Sequence, residues 1–190
     1  FAGRGAACLD VDGVARETVR PGSPVLAEIE RAFGPECLLP GGGLDRCRLG
    51  RRVFSDPVAL DLLNRITHPA LVREVTGWIA GLRANEKPPP VAVIDAAVLF
   101  ESGLAELADA VVVVVAGEEA QAERIAARDG ITAEEALARV RAQRPIEEMV
   151  KRADFVIRGD CSLEQTEAQV DKVWRTLVSG DTIRPGSNRA

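Results

Sequence analysis

Four short apolar runs, separated by stretches with helical spacing, constrain the fold of this chain most. The runs are residues 6–9, 91–94, 110–115 and 155–157. The last three are rich in β-branched residues and are followed by polar or glycine-containing turns, a pattern typical of strands buried on both faces of a parallel sheet. The sequence therefore predicts an α/β protein with a parallel sheet.

Helical patterns fill the segments between these runs, with apolar residues three and four positions apart. The predicted helices are residues 24–33, 44–54, 57–66, 69–82, 118–128, 132–143 and 163–177. The helical stretch 21–82 is longer than a simple crossover, so it predicts a helical subdomain inserted for substrate binding. The expected organisation is a core of residues 1–20, 88–120 and 153–178, a helical insertion 21–87, a lid 121–152 and a disordered tail 179–190.

Composition narrows the class of protein. Of the 190 residues, 46% are hydrophobic, which suits one core-forming domain. The net charge of −5 argues against a broad basic face for nucleic acid, and only three of the 24 basic residues are lysine, so arginine is expected to bind anions. The four cysteines show no C-x-x-C spacing, and neither a signal peptide nor a membrane-length apolar run is visible. A cytoplasmic protein with reduced thiols is expected.

Two aspartates follow the first apolar run. Asp10 and Asp12 come at its carboxyl end, where ligands gather in open α/β sheets. Carboxylates at such a place accept a proton from a substrate or bind magnesium. The alternative is that one of them only caps the helix that begins near Gly13, since aspartate is a favoured N-cap residue.

Further candidate site residues are two carboxylates after the second predicted strand and a histidine before a proline. Asp95 and Glu101 bracket an apolar turn at the same sheet edge as the first aspartates; the alternative is a helix cap at Asp95 and ordinary solvation of Glu101. His68 is the only histidine. Either it ends a helix before Pro69, or its imidazole contacts a phosphate or hydroxyl in a cleft.

Arginines crowd the helices after the third predicted strand. Arg124 and Arg128 lie four residues apart and predict a phosphate clamp, whereas Arg139 and Arg141 are expected to solvate a helix face and to pair with glutamates at a spacing of four. A capping box at Thr132 and Glu135 predicts the start of a helix pair able to move as a lid.

Together these residues resemble a known family. The motifs are Leu9-Asp10-Val11-Asp12 with Ala15-Arg16, Arg52-Val53-Phe54, His68-Pro69, Leu99-Phe100-Glu101-Ser102-Gly103, Arg124 with Arg128-Asp129, Gln143 and residues 153–157. In their order and spacing, from residue 1 to about residue 177, the chain resembles the dephospho-CoA kinase family. The resemblance implies a three-layer P-loop NTPase fold of the nucleoside-monophosphate-kinase type, in which residues 21–87 bind CoA.

The resemblance also implies an activity and a set of roles. The activity is transfer of the ATP γ-phosphate to the 3′-hydroxyl of dephospho-CoA, the last step of CoA synthesis, with Mg²⁺ and with ATP as co-substrate. The partners are these two small molecules, without nucleic acid or membrane, and the protein is a monomer or weak homo-oligomer. The implied roles are catalysis for Asp12 as base and for Arg124, metal binding for Asp10, acceptor binding for Arg16, His68, Asp95 and Glu101, and ATP binding for Arg124, Arg128, Arg158 and Gly159.

The chain departs from the family pattern in several places. It begins at Phe1, which with Ala2 and Gly3 reads as the end of a helix closed by glycine, so an upstream segment is expected. The P-loop G-x-x-x-x-G-K-S/T is absent from these residues, and poor ATP binding is expected without its backbone cradle. The family usually has other residues at Ala97, Met149 and 158–160. Two alternatives follow: another small-molecule kinase of this fold, or a noncatalytic domain without ATP binding.

Overall fold

The computed structural model describes residues 1–141 and 146–179. The chain divides into two compact units, Phe1–Leu107 and Ala108–Ala190. Gln143 and the part of the predicted tail from residue 180 onward lie outside the described residues, whereas Ser179 is the last residue of a helix. No helix in the described part of the chain has the length and apolar character needed to cross a membrane.

The first unit begins with a βα pair and returns to the same sheet after a long helical insertion. Its elements are β1 (Ala7–Asp10), α1 (Val11–Thr18), α2 (Pro24–Phe33), α3 (Arg46–Ser55), α4 (Pro57–Arg83) and β2 (Ala92–Asp95). β1 and β2 pair in parallel, with Ala7 opposite Ala92 and Asp10 opposite Asp95. The predicted parallel pairing is therefore confirmed in this unit, and each strand includes the aspartate that was expected just after it.

Short polar side chains set the starts of the insertion helices. Ser23 accepts a hydrogen bond from the Leu26 amide, and a proline follows it at the first position of α2. The predicted bounds of this helix, Pro24–Phe33, are confirmed. Asp45 and Asp56 cap α3 and α4 in the same way, as expected for side-chain acceptors at helix N-termini. These caps fix where each helix begins.

The longest helix continues through a position where the sequence predicted a break. Two helices, 57–66 and 69–82, were expected on either side of His68, but α4 is continuous over Pro57–Arg83 with Pro69 inside it. A proline in a helix interior costs ~3 kcal/mol because it removes a backbone hydrogen bond and crowds the preceding turn. Burial on both sides of Pro69 offsets this cost: Ala59 and Ala70 pack into the core of the insertion, and Leu71 and Val75 pack behind the sheet.

Two apolar clusters hold the first unit together. In the insertion, Ile29 and Phe33 of α2 pack with Leu49 and Val53 of α3. Behind the sheet, the buried residues are Val11, Leu71, Val75 and Leu104. Because α4 contributes to both clusters, it fixes the insertion relative to the strand ends of this unit.

The amino-terminal residues form a single turn of 3₁₀ helix, Ala2–Arg4, closed by Gly5. Gly5 has a φ of 94°, a conformation that favours glycine. The expectation that Gly3 closes this turn is therefore wrong by two residues, and the positive φ shows why the position needs glycine.

The second unit is a smaller αβ arrangement. Its elements are β3 (Val112–Val115), α5 (Glu118–Asp129), α6 (Ala133–Arg141), α7 (Ile146–Arg152), β4 (Phe155–Arg158) and α8 (Leu163–Ser179). β3 and β4 are parallel, with Val115 opposite Arg158. The capping box is confirmed: the amide of Thr132 donates to Glu135 and the amide of Glu135 donates to the Thr132 hydroxyl, at 2.9 and 3.2 Å.

Candidate functional site

Two aspartates lie side by side where β1 and β2 end. Asp10 and Asp95 are register partners in the parallel pair, and both are exposed. Since parallel strands deliver their carboxyl ends to the same edge of a sheet, two negative charges meet there. The sheet of the first unit thus presents an acidic edge of the kind that the sequence predicted.

Asp10 does not act as the side-chain cap of α1. It occupies the N-cap position, but its side chain makes no capping hydrogen bond. Its carboxylate instead accepts a hydrogen bond from Arg16 at 3.4 Å and lies over Gly13, where an added Cβ would come within 3.0 Å of the Asp10 Oδ2 atom. The carboxylate therefore stays at the open edge with one cationic partner.

Asp12 lies in the first turn of α1 and is exposed. A carboxylate at this place is favoured by the helix dipole. Arg16 lies one turn further along, so α1 carries a base candidate and a cation beside the strand end. The helix begins at Val11, two residues earlier than the expected start near Gly13.

The structure of the turn after β2 shows that the alternative role of Asp95 as a helix cap is wrong. No helix begins at Asp95; the next helical residues are the 3₁₀ turn Leu104–Leu107. The turn between them is held by the Ser102 hydroxyl, which donates to the Val98 carbonyl at 2.7 Å. Ser102 is buried, so the hydrogen bond of its hydroxyl, rather than a helix, orders this turn.

His68 and Glu101, which the sequence analysis singled out separately, are brought together. Burial lowers the pKa of His68 below its usual value, although a hydrogen bond to the Glu101 backbone and the charge of that side chain act in the opposite direction. The imidazole is therefore neutral near pH 7, with one ring nitrogen engaged by the Glu101 backbone. A neutral imidazole donates or accepts a hydrogen bond but does not contribute a full charge.

The second unit has a different strand edge. Beyond the end of β4, the amide of Gly159 donates to the Val115 carbonyl at 2.7 Å, and the Gly159 carbonyl accepts a hydrogen bond from Arg124 of α5. A Cβ on Gly159 would lie 3.4 Å from Val114 and 3.7 Å from the Arg124 guanidinium. These are ordinary van der Waals distances, so the loop packs against both β3 and the arginine, and an added Cβ would not clash there.

Asp160 fastens the same loop to the start of α5. Its carboxylate accepts hydrogen bonds from the Gly117 amide at 3.0 Å and from the Arg158 guanidinium at 3.1 and 3.2 Å. The Arg158 side chain and the Gly117 amide lower the pKa of Asp160 to about 2. Arg158, predicted to bind ATP, is therefore paired with Asp160 in this structure, as its raised pKa also reflects.

The remaining arginines of α5 and α6 form ion pairs with carboxylates of α5. Arg128 pairs with Asp129 at 2.7 Å, and the hydrogen bond between them raises the pKa of Arg128. Arg139 binds the same Asp129 at 2.8 Å, and Arg141 binds Glu118 at 3.2 Å. Hydrogen bonds from Thr132 lower the pKa of Glu135, and the charge of Arg139, four residues later, lowers it further, so the expected spacing of four describes a minor contribution. The ion pairs of both arginines connect α6 to α5, because two helices packed together place complementary charges opposite one another.

Two loop-holding residues were missed by sequence reasoning. Asp160 was visible only as part of a departure from a family motif, and Gln169 carried no signal at all. Both act through the backbone of residues distant in sequence, Gly117 and Arg158 respectively. Such contacts depend on how β4 and α8 fold back, which a local pattern does not encode.

The described residues hold no group of three or more His, Cys, Asp or Glu side chains arranged to bind a metal ion. Mg²⁺ is nonetheless commonly bound by one or two carboxylates together with water and substrate phosphates. The carboxylates at the end of β1 and β2 supply oxygen ligands of that kind. This donor chemistry fits magnesium bound together with a nucleotide.

The chain is similar in sequence to dephospho-CoA kinases. A family model described as dephospho-CoA kinase matches residues 1–165. The dephospho-CoA kinase of Anaeromyxobacter dehalogenans is 45% identical over 180 residues, which are 93% of this chain and 83% of that protein; that of Syntrophotalea carbinolica is 44% identical over 176 residues, with 93% and 82% covered.

Solved structures show the same likeness. The crystal structure of TT1252 from Thermus thermophilus has a TM-score of 0.71 and 35% identity, covering 93% of this chain and 87% of that one. A dephospho-CoA kinase from Campylobacter jejuni has a TM-score of 0.64 and 27% identity, covering 95% and 89%. The parallel strands, the acidic edge of the first unit and these matches lead to one conclusion: the chain belongs to the dephospho-CoA kinase family.

Proposed function

We propose that this protein transfers the γ-phosphate of ATP to the 3′-hydroxyl of dephospho-CoA, the last step of coenzyme A synthesis. Its family membership supports the reaction class. The observation that carries the proposal is the register pairing of Asp10 with Asp95 at adjacent strand ends, with Asp12 in the helical turn that follows. Phosphoryl transfer to a sugar hydroxyl needs carboxylates that orient the acceptor and accept its proton.

On the acceptor side, the oxygen of the 3′-hydroxyl attacks the γ-phosphorus while the bond to the departing ADP oxygen breaks. Asp12 accepts the proton that this hydroxyl loses. Arg16, one turn along α1, contacts an anionic part of the acceptor. His68 and Asp95 supply hydrogen bonds to its hydroxyl groups, and Glu101 binds beside His68. The neutral state of His68, which its lowered pKa favours, suits it for a hydroxyl more than for a phosphate.

On the ATP side, Arg124 neutralises charge that develops on the transferred phosphoryl group, and Arg128 lies one turn further along the same helix. Arg158 and Gly159 border the base of the nucleotide. Arg124 suits its role because its hydrogen bond to the Gly159 carbonyl leaves donors of the guanidinium for a phosphate, since that group carries five N–H bonds in a fixed fork.

A magnesium ion bound with ATP would be held by Asp10 together with phosphate oxygens and water. Its chemistry would be to neutralise phosphate charge. We also expect a cytoplasmic protein that is a monomer or a weak homo-oligomer, acting on small molecules without nucleic acid or membrane.

The test is an acceptor panel with the full gene product, ATP and magnesium. ADP release is followed with dephospho-CoA, AMP and CMP as acceptors, and mass spectrometry with ribose 3′-specific phosphatase treatment locates the new phosphate. The expected result is turnover with dephospho-CoA and a 3′-phosphate in the product. Faster turnover with a nucleoside monophosphate would refute the proposed acceptor, and ADP release without phosphorylated acceptor would refute the transfer.

A further inference from the structure

Gln169 makes an unusual contact with the backbone at the end of β4. Its side-chain oxygen accepts a hydrogen bond from the Arg158 amide at 2.8 Å, and its side-chain nitrogen donates to the Arg158 carbonyl at 3.1 Å. One amide side chain thus satisfies both backbone groups of a single residue. Gln169 itself is part-buried on α8, so a rigid helix fixes the place where β4 ends.

Arg158 is the last residue of β4, and the residues after it are held by further contacts, one of which is the hydrogen bond from the Cys161 Sγ atom to the Arg158 carbonyl at 3.1 Å. The Gly159 amide binds the Val115 carbonyl, and Asp160 binds the Gly117 amide. Fixing the backbone of each residue costs conformational entropy, so the loop needs such contacts to keep one conformation. Gln169 supplies the contacts from α8 to the backbone of Arg158, where this loop begins.

This loop in turn holds an arginine. The Gly159 carbonyl accepts a hydrogen bond from Arg124, and Asp160 binds the backbone at the start of α5, the helix that carries Arg124. A rotation of the Arg158 peptide groups would turn the adjacent Gly159 carbonyl away from the guanidinium. Gln169 therefore contributes to the orientation of Arg124 through one residue of backbone, together with the hydrogen bond from the Gly159 amide to the Val115 carbonyl.

We propose that Gln169 is a positioning residue for the ATP side of the site: by fixing both backbone groups of Arg158, it holds the Gly159 carbonyl where it orients Arg124. The inference rests on the proposed function for the roles of Arg124 and the loop. Gln169 touches no reacting atom; it acts through the backbone of residues 158–159.

The chain offers a matched control on the same helix. Gln165 lies one turn before Gln169 and accepts a hydrogen bond from the Ser162 amide at 3.1 Å as part of a capping box. Gln165→Leu removes an amide of the same size from α8 without removing a side-chain contact to Arg158. Gln169→Leu removes both Arg158 contacts, together with the contacts of the same amide nitrogen to the Cys161 Sγ atom and the Gln165 carbonyl. Gln169→Glu keeps the acceptor for the Arg158 amide but loses the donor.

The first measurement is hydrogen exchange of the Arg158 amide by NMR, which needs no activity. In Gln169→Leu this amide is expected to exchange about fivefold faster or more, since a hydrogen bond that contributes ~1 kcal/mol, about a factor of five in the opening equilibrium, is gone. In Gln165→Leu it is expected to exchange as in the wild type. Equal exchange in all proteins would overturn the geometric part of the inference.

The second measurement is steady-state kinetics on the full gene product. Because Gln169 acts through Arg124, Gln169→Leu is expected to lower kcat and to raise the KM for ATP, with a combined loss of roughly five- to twentyfold in kcat/KM for ATP and an unchanged KM for dephospho-CoA. Gln169→Glu is expected to lie between it and the wild type. If the leucine variant does not fold, the glutamate variant carries the test. Equal changes in both KM values, or the same change in Gln165→Leu, would overturn the inference. An inactive wild type would refute the proposed function instead, leaving the exchange result to decide the role of Gln169.

Discussion

The two units end their parallel strands in opposite ways. At the end of β1 and β2, two exposed aspartates lie in register, with Arg16 as a partner for one of them at 3.4 Å. At the end of β3 and β4, Arg158 and Asp160 neutralise each other at 3.1 Å, and Asp160 also accepts a hydrogen bond from the Gly117 amide. The first edge keeps excess negative charge, whereas the second uses its charges to order a loop. The comparison teaches that the same strand geometry can leave carboxylates exposed at a sheet edge or use them to order a loop.

The largest effect is expected where the second edge holds a cation. Arg124→Ala is expected to lower kcat roughly 10³-fold or more if its guanidinium stabilises the transferred phosphoryl group. The matched control is Arg139→Ala, which breaks an exposed ion pair with Asp129 and is expected to change kcat little. Steady-state kinetics and thermal melting of both variants check this. A large loss of melting temperature in Arg124→Ala, or equal kinetics of the two variants, would mean that Arg124 serves the fold.

The next effect concerns the first edge. Asp12→Asn keeps the size of the side chain and removes its charge, so the unfolding free energy is expected to fall by less than about 1 kcal/mol. A base that deprotonates the acceptor contributes about 10² to 10⁴ in rate, so kcat is expected to fall by that order while dephospho-CoA still binds. Kinetics with calorimetry for acceptor binding give both values. Turnover near that of the wild type would leave Asp12 with a structural role only.

A smaller effect separates the two aspartates of the first edge. Asp10→Asn is expected to raise the magnesium concentration needed for half-maximal rate more than it lowers the maximal rate, if Asp10 holds the metal. Its pair with Arg16 is exposed and contributes only ~0–1 kcal/mol to stability, so melting is expected to change little. Rates across a magnesium series provide the measurement. A fall in maximal rate with an unchanged magnesium requirement would argue that Asp10 acts on the acceptor.

The smallest effect is a pH dependence of the second edge. The pKa of Asp160 is held at about 2, below its usual value of 3.8, so its contribution to stability is present above about pH 4 and is lost as the pH falls toward 2. The Gly117 amide donates a hydrogen bond to Asp160, so the chemical shift of this amide is expected to titrate with a midpoint near pH 2. A midpoint near 4 would show that the loop is not fastened in solution.

The sequence was most informative where local chemistry decides the structure. The start of α2 follows from Ser23 and Pro24, and the start of α6 from the capping box. The acidic edge followed from strand ends that carry aspartate. In each case the residues that determine the structure are neighbours in the chain.

It was least informative where distant segments meet. Pro69 predicted a break that burial of Leu71 and Val75 overrides. The partner of Arg139 is ten residues away on another helix, and the hold of Gln169 on Arg158 spans eleven residues. An amide on a polar helix face looks the same in sequence whether it meets water or a strand end, so Gln169 had no local signature.

The continuous helix α4 has a consequence for how the first unit unfolds. At 1.5 Å per residue its 27 residues span about 40 Å, and its two halves belong to different apolar clusters. Neither cluster can melt without removing packing from the helix that the other needs, so the two are expected to unfold in one cooperative transition. The residue at the join is His68. A destabilising substitution in the core of the insertion is therefore expected to raise the frequency with which the helix opens around His68, even when the strand edge keeps its structure.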